Sequence, residues 1–183
     1  MLPVSRGQSL PKDRSKPMLS ELYWITKQAP GRLAIMARPR AGDWLEDEIG
    51  NWRASGVSVV VSLLEAEEVS DLGLQRERVL CERHGIGFLS FPIVDRGIPT
   101  SMRETQALAE TLLAHIVEGQ AVAIHCRAGI GRSSIIAGSV LVLDGMSADD
   151  ALAAIATARR TSVPDTDAQR DWLADFEAMA AGR

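Results

Sequence analysis

The stretch that decides the fold runs from Ala121 to Ser134 and is AVAIHCRAGIGRSS. Its first residues are apolar up to His125, a pattern typical of a strand buried on both faces. A turn with two glycines follows, and a strongly apolar segment that we predict to be a helix starts near Ser133. A buried strand, a glycine-containing turn and a helix N-terminus together make a binding site for an anion.

The turn itself has residue types suited to a tetrahedral phosphate. Successive backbone N–H groups from Arg127 to Arg132 can curl round one anion. Gly129 and Gly131 permit positive φ and close backbone approach. Cys126 lies at the base of the ring, where helix terminus and amide dipoles should lower the thiol pKa below its free value of about 8.5. The predicted phosphate-binding loop consists of Arg127, Ala128, Gly129, Ile130 and Gly131.

Two side chains of this segment are predicted to carry the chemistry. A thiolate at Cys126 would be a strong nucleophile. Arg132 follows five residues beyond it and can fold back to hold two phosphate oxygens bidentately, which a lysine cannot do. The alternative is that Cys126 is an ordinary packed cysteine in a strand-to-helix turn. The ordered combination of nucleophile, glycines and fork donor favours the catalytic interpretation.

The segment HCRAGIGRSS resembles the HCxxGxxRS/T signature of cysteine-dependent protein tyrosine and dual-specificity phosphatases. The resemblance implies that Cys126 attacks phosphorus and that Arg132 binds the phosphate and its transition state. It further implies that His125 orders the loop and tunes the thiolate. Ser133 would donate a hydrogen bond to the departing sulfur, with a plain N-cap hydroxyl as the alternative.

A general acid must protonate the leaving oxygen. Asp95 is the candidate, in the segment FPIVDRGIPT, where Pro92, Gly97 and Pro99 predict a shaped loop after a strand. If its strand neighbours that of Cys126, both loops open at one sheet edge. The stretch resembles the acid loop of the compact phosphatases, and a turn aspartate capping its own backbone is the alternative.

Further residues were assigned supporting roles. The resemblance implies that Glu65 holds the phosphate loop and that Gln169 orients the hydrolytic water, with a solvated helix position as the alternative for Gln169. Arg159 and Arg160 could flank the pocket, or could be a charge pair at a helix C-terminus. Cys81 could resolve an oxidised Cys126, although a packed cysteine is the favoured interpretation.

Two arginines in the predicted loops bear on the class of substrate. Arg127 follows the nucleophile and Arg96 follows the acid, so both could rim the pocket with positive charge, with a solvated surface position as the alternative for each. A second basic residue is not present at Ile130, so the doubly basic loop of phosphoinositide-specific relatives is only half present. The resemblance implies a protein substrate phosphorylated on tyrosine, with serine and threonine left open, and a phosphoinositide or another phosphate ester is the alternative. A silent phosphate-binding module is a further alternative, disfavoured because Cys126, Arg132 and Asp95 are all present. A rhodanese-type sulfurtransferase is another, disfavoured by Arg132 and Ser133.

Strands alternate with helices along the chain, which predicts a single α/β domain with a central, mostly parallel mixed sheet flanked by helices on both faces. Residues 19–183 are predicted to form this domain and residues 1–18 a flexible arm. Predicted strands are 22–25, 33–36, 57–63, 86–91 and 121–125, the first two forming an antiparallel edge. Predicted helices start at Asp43, Gln75, Met102, Ser133, Ser147 and Thr166.

The composition of the chain limits the remaining classes of function. The 183 residues carry a formal net charge of −4, which argues against nonspecific nucleic-acid binding. The two cysteines are typical of a reducing compartment, so we expect a cytoplasmic protein. No Cys/His cluster predicts a metal site, and we expect neither metal nor organic cofactor. No segment has the length of a membrane span, and the first residues lack the apolar core of a signal peptide.

Overall fold

The computed structural model describes residues 19–25 and 30–182. The strands found there are β1 (Tyr23–Ile25), β2 (Arg32–Met36), β3 (Val59–Ser62), β4 (Gly87–Ser90) and β5 (Ala121–His125). The helices are α1 (Leu45–Ala54), α2 (Ala66–Asp71), α3 (Glu77–Arg83), α4 (Met102–Val117), α5 (Arg132–Leu143), α6 (Ala148–Arg159) and α7 (Asp167–Ala181). The predicted arm, residues 1–18, lies outside the described residues, so that boundary stays a prediction.

The five strands form one mixed sheet in the order β1-β2-β5-β3-β4. Only β1 runs antiparallel, paired with β2 at one edge, while β2, β5, β3 and β4 are parallel to one another. Strand β5 is central, and all its residues are buried because helices cover both faces. The predicted α/β architecture is therefore confirmed. Loops that follow β3, β4 and β5 emerge at the same edge, where ligands of such sheets bind.

Helix α5 lies at the centre of one face of the sheet. Every residue from Arg132 to Val142 is buried, because α5 packs against α4, α6 and α7 as well as against β2 and β5. Gly138 permits close packing of α7, since a Cβ at that position would come within 2.6 Å of a Leu173 methyl group. The opposite face has a separate core that includes Trp52 of α1 and Leu80 of α3. These two cores fix the residues at both ends of the β5–α5 turn.

Side-chain caps place the later helices where the sequence predicts them. Ser101 accepts a hydrogen bond from the backbone of Glu104, and Ser147 from that of Asp150. Thr166 caps α7 in the same way. None of the helices in the described part of the chain is long and apolar enough to cross a membrane.

Two features of the first half differ from the prediction. Asp43 does not cap a helix, because it lies inside a 3-10 helix, Gly42–Trp44, and α1 begins at Leu45. Helix α2 was not predicted, because its six residues, AEEVSD, contain no apolar repeat. A hydrogen bond from the backbone N–H of Glu65 to Glu68 Oε2, at 3.1 Å, closes its first turn.

Candidate active site

The loop between β5 and α5 lies at the carboxyl edge of the sheet. Gly129 has φ = 69°, a left-handed conformation that favours glycine. A Cβ at Gly129 would also come within 2.4 Å of the backbone of Met36 at the end of β2. Gly131 differs, because its φ of −84° suits any residue. The need for glycine there is close approach: a Cβ would lie 2.3 Å from Asp165 Oδ2.

Four backbone carbonyls of this loop accept hydrogen bonds from groups outside the loop. Arg127 O accepts from the N–H of Arg38 (3.3 Å), Ala128 O from Arg159 Nη2 (3.2 Å), Gly129 O from Arg159 Nε (3.1 Å) and Ile130 O from the Ser134 hydroxyl. In a trans peptide the C=O and the N–H point in opposite directions. The N–H groups that follow these carbonyls, those of residues 128 to 131, are therefore turned inward. An inward ring of amides is an anion-binding cradle.

Cys126 lies at the bottom of this ring. Its side chain is 3% exposed, and its Sγ accepts a hydrogen bond from the N–H of Gly129 at 3.3 Å. The Ser133 hydroxyl oxygen lies 3.6 Å from the same sulfur. Ser133 does not cap α5, whose N-cap residue is Gly131. The contact with sulfur supports the role predicted for Ser133 over that of a plain N-cap.

Arg132, the first residue of α5, is 2% exposed and its guanidinium lies beside the nucleophile loop. Nη1 donates to Glu68 Oε2 at 2.6 Å, and Nη2 donates to Glu68 Oε1 at 2.9 Å. Nη2 also lies 2.8 Å from Asp95 Oδ1, and Nη1 donates to Ile93 O at 2.9 Å. Burial lowers the pKa of Arg132, but the hydrogen bond with Glu68 and the charges of Cys126, Glu68 and Asp95 raise it above its ordinary value. The guanidinium is thus held charged and at a fixed angle.

Glu68 binds Arg132 at the end of the phosphate-binding loop. The sequence predicts this loop-holding role for Glu65 instead. Glu65 precedes α2 as its N-cap residue, whereas Glu68 lies on the turn of α2 that faces the loop. Burial raises the pKa of Glu68, but its hydrogen bond with Arg132 and the backbone of Glu65 lower it below 4.5. A bidentate carboxylate–guanidinium pair of this kind fixes orientation as well as charge.

Asp95 reaches the site from the loop after β4. Its side chain is 51% exposed, and the 2.8 Å contact with Arg132 brings it to the mouth of the amide ring. β3 lies between β4 and β5, so the two loops do not come from neighbouring strands as expected. The loops after β4 and β5 nevertheless open at the same edge of the sheet. Arg96 adopts φ = 57°, uncommon for a residue other than glycine, in a turn closed by a 2.8 Å hydrogen bond from the N–H of Gly97 to Val94 O.

Gln169 joins the acid loop to the segment before α7. Its Nε2 donates to Gly97 O at 2.9 Å, and its Oε1 accepts from the N–H of Asp165 at 3.1 Å. The side chain is 0% exposed. These contacts give Gln169 a structural role at the site, and its predicted contact with the hydrolytic water stays a prediction. Arg127 and Arg96 are both exposed, and their place at the rim of the pocket stays a prediction.

His125 faces the opposite side of the sheet from Cys126 and meets a partner that the sequence analysis did not find. Its Nε2 lies 2.9 Å from Glu77 Oε1 of α3, and both residues are almost fully buried. The ring of Trp52 lies alongside, with centroids 6.4 Å apart. Glu77 precedes His125 by 48 residues, so no local pattern connects them. The pair fixes the residue that immediately precedes the nucleophile.

Two other predicted residues have definite positions. Arg159 binds the carbonyls of Ala128 and Gly129 and stacks over Tyr23, 4.0 Å from the ring centroid, so it holds the loop from outside. Cys81 belongs to the core on the far face of the sheet, whereas Cys126 belongs to the near one. Burial, followed by the charge of Glu77, raises the pKa of Cys81 to about 12. These positions favour the packed-cysteine interpretation for Cys81.

Solved structures of phosphatases resemble the chain over almost its whole length. The kinase associated phosphatase, crystallised with serine at its catalytic cysteine, superposes with a TM-score of 0.82 at 19% identity, covering 92% of this chain and 99% of that one. Tk-PTP in its active form gives a TM-score of 0.70 at 27% identity, covering 86% and 96%. PTPMT1 gives 0.72 at 20% identity, covering 89% and 98%. The fold is that of the compact dual-specificity and protein tyrosine phosphatases.

Sequence comparison identifies the family. No curated protein matches the chain. Residues 34–146, more than half of the chain, match the family described as "Polymorphic toxin system, DSP-PTPase phosphatase". The chain belongs to this phosphatase family. The segment matched extends from β2 through the acid loop and the amide ring to the end of α5.

Proposed function

We propose that the chain hydrolyses phosphate monoesters on proteins, phosphotyrosine above all, through a phosphocysteine intermediate on Cys126. The observation that carries the proposal is the outward orientation of the loop carbonyls from Arg127 to Ile130, which turns the amides toward the sulfur. A ring of this kind can bind three phosphate oxygens while the sulfur lies in line with the ester oxygen.

In the first step the Cys126 sulfur attacks phosphorus and the P–O bond to the leaving group breaks. The electron pair of that bond stays on the leaving oxygen, which takes a proton from the Asp95 carboxyl. Arg132 holds two of the phosphoryl oxygens and balances the charge that develops on them. Substrate phosphate must therefore replace Asp95 as the partner of Nη2, which frees the acid to reach the leaving oxygen.

In the second step water attacks the phosphorus of the phosphocysteine. One water proton passes to the Asp95 carboxylate, the S–P bond breaks, and its electron pair returns to sulfur. Phosphate leaves and Cys126 is regenerated as a thiolate, which the Ser133 hydroxyl can stabilise from 3.6 Å. The two-step reaction uses only the residues described above and one water molecule.

The charge of the rim supports a protein substrate. Cys126 is 3% exposed, so an ester phosphate must enter the loop to reach the sulfur. Exposed Arg127 and Arg96 offer positive charge to a dianionic ester without the second basic residue at position 130. Among the neighbours, one PTPMT1 structure is a complex with PI(5)P, so the same fold also accepts a lipid phosphate in that protein.

The test is a substrate panel with matched variants. Purified chain should hydrolyse p-nitrophenyl phosphate and phosphotyrosine peptides, and Cys126→Ser should abolish turnover. The Asp95→Ala variant should bind phosphoproteins from a lysate of phosphorylated cells without releasing them, with Asp43→Ala as a control at another exposed aspartate. If the enzyme hydrolyses PI(5)P faster than the phosphopeptides, the substrate is a lipid and not a protein. Full activity of Cys126→Ser would refute the mechanism.

A further inference from the structure

The second step of the proposed reaction needs a group that positions water, and the buried Gln169 side chain is poorly placed to do so. Both ends of its amide are bonded to the protein, one to Gly97 O and the other to the N–H of Asp165. Its side chain has no exposed surface. Gln169 Oε1 would lie 2.8 Å from a Cβ at Gly131, but this oxygen already accepts from Asp165 and is buried, so an exposed residue beside the amide ring is better placed to bind water.

Asp165 is that residue. It is exposed, and its Oδ2 lies so close to Gly131 that a methyl group at position 131 would come within 2.3 Å of it. Gly131 is the last residue of the amide ring before α5. Because φ of Gly131 is −84°, close approach is the reason for glycine here. A hydrogen bond from the backbone N–H of Asp165 to Gln169 Oε1 fixes the backbone of Asp165 and hence the position of its carboxylate.

We propose that Asp165 positions the water molecule that hydrolyses the phosphocysteine, an inference that rests on the phosphatase mechanism above. An ionised carboxylate only accepts hydrogen bonds, and so do the oxygens of a bound phosphoryl group. A water molecule can donate one O–H to the Asp165 carboxylate and direct a lone pair at phosphorus.

The two aspartates then have separate tasks. Water donates its second O–H toward Asp95, which takes that proton as the O–P bond forms and the S–P bond breaks. Asp165 accepts a hydrogen bond from the water throughout. In the first step no water attacks and Asp95 alone supplies the proton, so Asp165 is not needed. Replacement of Asp165 should consequently slow the second step and spare the first.

The experiment separates these steps with Asp165→Ala, Asp165→Asn and a control, Asp167→Ala, an exposed acidic residue in the first turn of α7. Enzyme is mixed rapidly with p-nitrophenyl phosphate and quenched in acid. The release of the first equivalent of p-nitrophenol reports the first step, and intact mass reports the fraction of phosphorylated enzyme. Turnover in the alanine variant should fall about 10- to 100-fold, the range for a mispositioned reactant.

Phosphorylated enzyme should accumulate in Asp165→Ala, while the rate of the first step stays within about 3-fold of wild type. Asparagine keeps an acceptor oxygen and should restore part of the turnover, an effect that a merely structural role would not produce. Equal losses in both steps, or unchanged turnover, would overturn the proposal for Asp165. A wild-type enzyme that turns over without any phosphorylated form would instead refute the phosphocysteine mechanism, so the two failures are distinguishable.

Discussion

Replacement of Glu68 by glutamine would test how the phosphate-binding arginine is held. The substitution keeps the shape of the side chain and removes its charge. In the wild type two N–H groups of Arg132 donate to the two carboxylate oxygens at 2.6 and 2.9 Å. Glutamine offers one acceptor oxygen, and its NH₂ group faces a guanidinium that can only donate. One of the two hydrogen bonds is therefore lost and the guanidinium plane is free to rotate.

The size of the effect follows from that lost contact. A hydrogen bond to a charged group contributes about 1.5–3 kcal/mol. The carboxylate is 11% exposed, so solvent screens the pair only weakly. Because Arg132 must be oriented for the transition state, we expect kcat/KM for p-nitrophenyl phosphate to fall roughly 10- to 100-fold, at about 1.4 kcal/mol per factor of ten.

The assay compares Glu68→Gln with Glu67→Gln, an exposed neighbour on the same helix. Circular dichroism and urea unfolding show whether each variant is folded. The control should keep kcat/KM within about 3-fold of wild type. A folded Glu68→Gln enzyme with unchanged kcat/KM would refute the reasoning, because Arg132 would then be oriented without its bidentate partner.

The same pair predicts a pH-dependent stability. Burial raises the pKa of Glu68, but the hydrogen bonds with Arg132 and with the backbone of Glu65, together with the charges of Arg132 and Arg127, outweigh burial and hold the folded pKa below 4.5. The folded protein therefore binds this proton less tightly than the unfolded chain does. The stabilisation is complete above about pH 4.5 and is lost as the pH falls through the lowered pKa. The difference in unfolding free energy between wild type and Glu68→Gln should shrink below pH 4.5, and a constant difference would contradict this account.

Two further substitutions probe the support of the loop. Replacing Glu77 by glutamine should lower the free energy of unfolding by about 0.5–3 kcal/mol, because it disturbs the buried 2.9 Å contact between Glu77 Oε1 and His125 Nε2; urea titration beside Glu82→Gln checks this, and an equal midpoint for both variants would contradict it. Replacing Arg159 by methionine removes the donors to Ala128 O and Gly129 O, so inhibition by orthophosphate should weaken about 10-fold. Arg160→Met is the control, and equal inhibition constants for the two variants would show that the loop carbonyls need no outside donor.

Most of the fold was predictable because its signals are local. The apolar run Ala121–His125 and the apolar segment after it set the central strand and helix, and both occur in the structure within one residue of the prediction. Hydroxyl caps at Ser147 and Thr166 placed the last helices for the same reason. A capping side chain and the amide it binds are three residues apart, so the sequence displays both.

The features that could not be predicted from the sequence depend on contacts between residues far apart in the chain. Helix α2 has no apolar repeat and is stabilised where Glu68 meets Arg132, 64 residues later. For this reason Glu65 was assigned the role that Glu68 has. The three-residue spacing of Glu65 and Glu68 could have indicated a short capped helix there. The Glu77–His125 pair and the approach of Asp165 to Gly131 have no local signal at all.

The central claim is that phosphate is transferred to sulfur inside an inward-facing ring of amides. The most direct measurement is acid quenching of the working enzyme with a radiolabelled phosphate ester, followed by digestion and mapping of the label. We predict label on the peptide that contains Cys126, and its loss in Cys126→Ser together with turnover. Turnover by the wild type with no labelled Cys126 peptide, or with label on another residue, would contradict the account.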